Sequence, residues 1–141
     1  MLPSEQDEIW ESLRDVYQFI SDRLTEVLAP FGLAVTDYRA LRYCTDEPRR
    51  AIDLTRRLGL TPASGTELID RLERRKLVKR SKNATDRRSV LVVLTPTGRR
   101  LVSSAREARR SYFRGLARSM PPNLKEDLEA LRETVQGDRP P

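Results

Sequence analysis

Eight basic side chains lie between Arg74 and Arg88, within fifteen consecutive residues. Arginine and lysine at this density are suited to phosphate groups, which they neutralise and hold through charge-assisted hydrogen bonds. Residues 49–118 contain 20 basic and 6 acidic residues, a net charge of +14, whereas residues 1–48 carry −6 and residues 119–141 carry −2. A positive centre between acidic ends predicts a polyanion-binding segment. The alternative is a solvated basic surface, which is common in helical proteins.

The segment before this cluster predicts two helices joined by a tight turn. Gly59 is suited to the left-handed conformation of such a turn. Thr61 followed by Pro62 is typical of a helix start, and we expect this helix to reach Arg75. Its inward face carries three apolar residues at helical spacing: Leu68, Ile69 and Leu72.

After this helix the pattern changes to alternating and β-branched residues. Strands are expected near residues 77–81 and 89–94, joined by a polar tip at residues 82–86. A helix-turn-helix followed by a charged hairpin, or wing, is how a small protein contacts both grooves of duplex DNA. The predicted fold is therefore mainly α with a small β-hairpin, an α+β class.

The open face of the second helix holds the side chains that could read a DNA sequence. The N-terminal end of such a helix enters the major groove, where base edges differ in their hydrogen-bonding groups. Ala63 is suited to a thymine methyl group, and Arg71 to a phosphate or a guanine. We expect Asp70 to orient Arg71, and Glu73 to be solvated surface. The candidate contacts on this helix are Ala63, Ser64, Thr66, Glu67 and Arg71.

The predicted wing offers a second set of DNA contacts. Arg87 or Arg88 is expected to enter the minor groove, where narrow A·T tracts concentrate negative potential. Three further basic residues are predicted phosphate contacts: Lys79, Arg80 and Lys82. The rival interpretation is an exposed hairpin with ordinary surface charges.

Long helices on both sides of this module are expected to scaffold it. Ser4, Thr36 and Asn123 are typical N-caps, and Thr95 before Pro96 repeats the cap-then-proline start. A hydrophobic content of 38% with 34% charged residues fits either long, exposed helices or a core that a second chain completes. The apolar residues expected at the contacts of a homodimer are Ile9, Leu13, Leu124, Leu128 and Leu131.

These features resemble the multiple-antibiotic-resistance regulator (MarR) family of bacterial winged helix-turn-helix transcription factors. The resemblance covers about residues 8–135. The segments that carry it are Leu58-Gly59-Leu60-Thr61-Pro62, the run from Leu68 to Arg75, Leu77-Val78, Asp86-Arg87-Arg88 and Leu94-Thr95-Pro96.

The resemblance implies a single domain over residues 1–141, with dimerisation helices at 5–30 and 97–136 and a DNA-binding part at 36–95. It implies a homodimer in which each subunit offers one recognition helix and one wing, and in which Asp86 holds an arginine of the wing in place. The implied function is a sequence-specific transcriptional regulator, a repressor, on a pseudo-palindromic operator.

Two residues depart from the family pattern. Gly65 lies where the family has an apolar core residue, and a glycine within a helix costs about 1 kcal/mol relative to alanine. Glu67 lies where we expect a basic residue. Its carboxylate cannot hold a phosphate; it either accepts from cytosine N4 or indicates weaker DNA binding. Both residues keep open a different function, a winged-helix protein that binds an acidic protein partner.

Other classes of function find little support in the sequence. With no histidine, no glycine-rich phosphate loop and no nucleophile beside a base, the chain is not expected to be an enzyme or to hold a metal or cofactor. The single cysteine, Cys44, suits the reducing cytoplasm and is expected to be an inert apolar filler. No signal peptide or membrane span is predicted.

A small-molecule effector is a further expectation. Four aromatic residues are candidates to line a pocket between the dimer helices and the DNA-binding part: Trp10, Tyr17, Tyr38 and Tyr43. Aromatic residues at helical spacing are more often part of a core, so both interpretations stay open at this point.

Overall fold

A computed structural model describes residues 1–137, which divide into two compact units, one of residues 1–109 and one that begins at Arg110. None of the helices in this described range is long and apolar enough to cross a membrane. The elements are α1 (Pro3–Leu28), a 3₁₀ turn (Ala29–Phe31), α2 (Val35–Tyr43), β1 (Arg49–Arg50), α3 (Ala51–Arg57), α4 (Pro62–Arg74), β2 (Val78–Lys82), β3 (Val90–Leu94), α5 (Pro96–Ala117) and α6 (Leu124–Gly137).

Two of the predicted N-caps are wrong. The residues that precede α1 and α2 are apolar, and in each helix an acidic residue of the first turn does the capping instead: Glu5 accepts from the backbone N–H of Leu2 at 2.8 Å, and Asp37 accepts from that of Ala34 at 3.0 Å. Ser4 and Thr36, the predicted caps, therefore lie inside the first turns. The predicted helix start with Thr95 before Pro96 is confirmed, because α5 begins at Pro96.

The predicted hairpin is part of a three-stranded antiparallel sheet in the order β1-β3-β2. Val78 lies opposite Leu94 in the hairpin, and Arg49 of β1 lies opposite Val92. The strand β1 was not predicted because it is two residues long and carries no alternation. The winged helix-turn-helix fold is otherwise as expected.

The core of the first unit joins the end of α1 to α2, α3, α4, the sheet and the first half of α5. Its fully buried side chains include Leu28, Leu41, Leu54, Ile69, Leu72 and Val92. Gly59 takes the predicted left-handed conformation between α3 and α4, with φ at 67°. Thus the core fixes α4 and the hairpin on one scaffold.

The terminal helices keep apolar side chains on the surface of the single chain. In α1 the only buried residue is Leu28, while Ile9 and Leu13 are between 40% and 50% exposed. In α6, which belongs to the second unit, Leu128 and Leu131 are also between 40% and 50% exposed, and Leu124 is half-buried. The chain itself leaves these predicted dimer contacts largely uncovered.

Candidate nucleic-acid interface

The start of α4 is fixed by the cap that its sequence predicts. The Thr61 hydroxyl oxygen accepts from the backbone N–H of Ser64 at 3.1 Å. Leu68, Ile69 and Leu72 are all buried, as predicted, so the opposite face of the helix is turned to solvent. On that face the exposed residues include Ala63, Ser64, Thr66 and Glu67.

These four residues form the surface that we call the reading face: Ala63, Ser64, Thr66 and Glu67. It offers a methyl group, two hydroxyls and a carboxylate. The methyl group suits the methyl of thymine, the hydroxyls suit hydrogen-bond donors or acceptors on base edges, and the carboxylate suits the amine of cytosine. The Ser64 hydroxyl also accepts a hydrogen bond from the Thr61 hydroxyl at 3.0 Å, which orients it.

Gly65 lies on the buried side of the same helix turn, where α4 crosses α3. A Cβ atom at this position would lie 2.2 Å from Thr55 Oγ1 and 2.6 Å from Thr55 Cγ2. The departure from the family pattern therefore has a local cause, because Thr55 fills the space that a side chain at residue 65 needs. Glycine allows the two helices of the helix-turn-helix to approach each other.

Arg71 is held by a residue that sequence reasoning did not select. Its Nη2 donates to Asp37 Oδ1 at 2.5 Å, and the Asp37 side chain is only 5% exposed. The prediction that Asp70 orients Arg71 is wrong. Since Asp37 also caps α2, the ion pair ties α4 to the start of α2.

Arg80 connects the wing to α4. Its guanidinium donates to Asp70 at 2.6 Å and to Glu73 at 2.8 Å, and Glu73 also accepts from the Arg80 backbone N–H at 2.9 Å. Partial burial alone would lower the pKa of Arg80, but the hydrogen bonds to the two carboxylates outweigh it and raise the pKa above its ordinary value. The assignment of Glu73 to solvated surface is therefore wrong.

The wing tip is ordered by Asp86. Its Oδ1 accepts from the backbone N–H of Arg88 at 3.0 Å, and its carbonyl oxygen accepts from that of Ser89 at 3.2 Å. Asp86 thus shapes the backbone of the turn, whereas the resemblance implied that it holds an arginine side chain. The basic residues that remain exposed on the wing are Lys79, Lys82, Arg87 and Arg88.

Comparisons with known proteins agree with this geometry. A family model described as MarR family matches residues 31–89. The HTH-type transcriptional regulator YsmB of Bacillus subtilis is 28% identical over 113 residues, 79% of this chain and 77% of that protein. The crystal structure of the transcriptional regulator BldR from Sulfolobus solfataricus has a TM-score of 0.84 at 27% identity, covering 96% of this chain and 99% of that one. The MarR family regulator AbsC from Streptomyces coelicolor has a TM-score of 0.81 at 25% identity and covers 98% of both chains.

Residues 31–89 thus carry the MarR family pattern, and almost the whole chain is similar to a solved MarR family regulator. The relatives named above are described as transcriptional regulators, and the predicted winged helix-turn-helix of this chain is confirmed. Its reading face and its wing both lie within or next to the matched residues 31–89.

One basic pair at the edge of the wing was not predicted from the sequence. Arg49 and Arg50 form β1, and Arg50 donates to both oxygens of Asp53, at 2.8 and 3.0 Å. This hydrogen bond raises the pKa of Arg50, with a smaller contribution from the charge of Asp86. A pair of arginines directly before a short helix was the only available signal in the sequence.

The four aromatic residues predicted to form one pocket are not brought together. Trp10 and Tyr17 are 68% and 71% exposed on α1. Tyr38 and Tyr43 line a cavity of about 480 Å³ together with Leu58 and four arginines: Arg39, Arg42, Arg57 and Arg109. The Tyr38 hydroxyl accepts from Arg109 Nε at 3.2 Å. Within the single chain, two of the four predicted residues, Tyr38 and Tyr43, therefore line one cavity.

Cys44 is a free cysteine in the buried core of the first unit. Burial raises the pKa of the Cys44 thiol to about 11, against a small opposing effect of Arg49, so the side chain is a protonated part of the core. Within residues 1–137 no group of three or more histidine, cysteine or acidic side chains lies close enough to hold a metal ion.

Proposed function

We propose that this chain is a sequence-specific DNA-binding regulator of transcription that acts as a repressor and binds a pseudo-palindromic operator as a homodimer. The observation that carries the proposal is the pairing of an exposed reading face on α4 with a basic wing held against the same helix through Arg80. The similarity of the chain to MarR family transcriptional regulators supports it.

Base recognition belongs to the reading face. Thr66 and Glu67 are exposed within the first two turns of α4, the end that enters the major groove in this class of fold. The Glu67 carboxylate repels phosphates and accepts from cytosine N4, so it contributes to specificity rather than to overall affinity. Ala63 is suited to a thymine methyl group, and Ser64 to either type of base-edge group.

Phosphate and minor-groove binding belong to the exposed cations of the wing. Lys79 and Lys82 are placed on β2, and Arg87 and Arg88 on the tip that Asp86 orders. Such contacts neutralise phosphates of any sequence and make affinity depend on salt. Arg71 and Arg80 were predicted as DNA contacts, but their ion pairs favour a role in positioning α4 and the wing.

The homodimer is supported by the exposed apolar residues of the terminal helices. Uncovered stripes of this kind are typical of surfaces that a second subunit buries. Light scattering at micromolar concentration should give twice the chain mass of 16.3 kDa. A folded monomer would contradict both the dimer and an operator with two half-sites.

The cavity lined by Tyr38 and Tyr43 is the candidate site for a small-molecule effector. Its hydroxyls and guanidiniums suit a ligand that carries a negative charge and a ring. An effector bound there should lower operator affinity in the native protein and have less effect in the Arg57→Gln variant.

The proposal is tested by a gel shift on DNA upstream of the protein's own gene, with excess competitor DNA, followed by footprinting. We expect protection of an inverted repeat whose half-sites lie about 10 bp apart, one turn of the duplex. Equal protection of any sequence, or a single asymmetric site, would contradict base recognition by the reading face.

A further inference from the structure

A second cluster of arginines lies outside the proposed DNA interface. It surrounds a cavity of about 240 Å³ whose lining comes from α2, the residues directly after it, and α5. No lining residue belongs to α4 or to the wing. The residues that line it are Arg42, Thr45, Arg99, Val102, Ser103 and Arg106.

The cavity carries an excess of positive charge. Arg71, Arg80 and Arg50 each lie within 4.0 Å of a carboxylate, but within residues 1–137 none of the three arginines of the cavity has such a partner. Their lining neighbours are hydroxyl and apolar residues, without a carboxylate. Three guanidiniums beside one small cavity repel one another unless an anion neutralises them.

The cavity also has a hydrogen-bond donor without an acceptor. The Nε atom of Arg106 is buried and has no acceptor among the described residues. Arg99 donates from Nη1 to the Thr45 carbonyl oxygen at 3.0 Å, and this hydrogen bond holds its side chain beside α2. A buried donor without an acceptor is costly, and native proteins generally supply one from protein, water or a bound ion.

The size of the cavity limits the ligand. A volume of 240 Å³ lies below the range of about 300–1,000 Å³ that is typical of sites for drug-sized molecules. It is several times larger than the volume of one water molecule in the liquid, about 30 Å³. A single oxyanion with a few waters fits these limits, and planar guanidiniums match the oxygens of phosphate or sulfate in pairs.

We propose that the cavity between α2 and α5 binds one tetrahedral oxyanion, a phosphate or sulfate group, held by Arg42, Arg99 and Arg106. The anion accepts from the Arg106 Nε–H and from the other two guanidiniums, and the Ser103 hydroxyl lies at the same cavity. The site is separate from the proposed DNA contacts, so it can be tested in the absence of DNA.

The decisive test adds inorganic phosphate to the DNA-free protein and follows thermal unfolding and calorimetric binding against chloride at equal ionic strength. Ser103→Asp places a carboxylate at the cavity, where it should pair with the arginines and abolish the phosphate-dependent rise in melting temperature. Ser104→Asp is the matched control, since Ser104 is exposed on the same helix but does not line the cavity. It should keep the rise.

A second pair of variants removes the donors. Arg106→Gln should weaken phosphate binding roughly tenfold or more, because charge-assisted hydrogen bonds are lost, while Arg100→Gln, with the same change of charge outside the cavity, should not. Arg88→Ala should also keep the binding, which separates this site from the wing. Sulfate should compete with phosphate, and a nucleoside monophosphate that binds as well would identify a phosphate ester as a source. Equal phosphate binding in Ser103→Asp, Ser104→Asp and the native protein would overturn the proposal.

Discussion

Replacing Gly65 with alanine tests how the helix-turn-helix is packed. The added Cβ would lie 2.2 Å from Thr55 Oγ1 and 2.6 Å from Thr55 Cγ2, far inside van der Waals contact. Thr55 cannot easily turn away, because its side chain is β-branched and its hydroxyl donates to the Ala51 carbonyl oxygen at 2.8 Å. The helices α3 and α4 must therefore separate.

The expected size of the effect follows from two opposing contributions. Overpacking a well-filled site costs about 1–3 kcal/mol, and the contact distances place this site in the upper part of that range. Alanine gains about 1 kcal/mol over glycine in a helix. We expect Gly65→Ala to lower the free energy of unfolding by about 1–2 kcal/mol in urea denaturation at fixed protein concentration.

Two controls isolate the cause. Gly115→Ala on α5 adds the same methyl group where nothing lies within 4 Å in the described chain, so it should stabilise by about 0.5–1 kcal/mol. In a Thr55→Ala background, which removes the two nearest atoms and leaves only the Cβ of residue 55 at 2.9 Å, Gly65→Ala should cost clearly less than it does in the native protein. If Gly65→Ala stabilised the native protein as much as Gly115→Ala does, the packing argument would be refuted.

Three further predictions concern two residues that position the interface and one cysteine of the core. Asp37→Ala removes both the cap of α2 and the partner of Arg71, and should lower the free energy of unfolding by about 2 kcal/mol; the coupling with Arg71→Ala in a double-mutant cycle should be clearly non-zero. Arg80→Met should destabilise by about 1 kcal/mol and leave the salt dependence of DNA binding unchanged, whereas Lys79→Met should reduce its slope by roughly one unit per subunit. Since burial raises the pKa of Cys44 to about 11, its alkylation at pH 8 should be slow in the folded protein and fast in denaturant.

The recognition helix was predictable because its signals are local. The cap at Thr61, the turn at Gly59 and the inward face of Leu68, Ile69 and Leu72 each depend on residues within one or two helical turns. The exposed reading face follows directly from that inward face. The predicted caps of α1 and α2 were wrong because in each helix an acidic residue of the first turn does the capping instead.

Longer-range partners could not be predicted from spacing. Arg71 and Asp37 are 34 residues apart, and no periodic pattern joins them. Asp70 is adjacent in sequence to Arg71 but points to Arg80, which lies beside it only once the wing packs on α4. The same holds for Gly65, whose purpose depends on Thr55 of another helix.

In the proposed mode of DNA binding, the reading face supplies specificity and the wing supplies general affinity. The most direct measurement is the affinity of the native protein, Thr66→Ala and Arg88→Ala for labelled operator and random duplexes, by fluorescence anisotropy over a range of salt concentrations. We predict that Thr66→Ala loses about 1–3 kcal/mol on the operator and little on random DNA, and that Arg88→Ala weakens both duplexes by similar factors. If Arg88→Ala left both affinities unchanged in a folded dimer, the wing would not bind DNA, the account would be contradicted, and a protein-binding function would take its place.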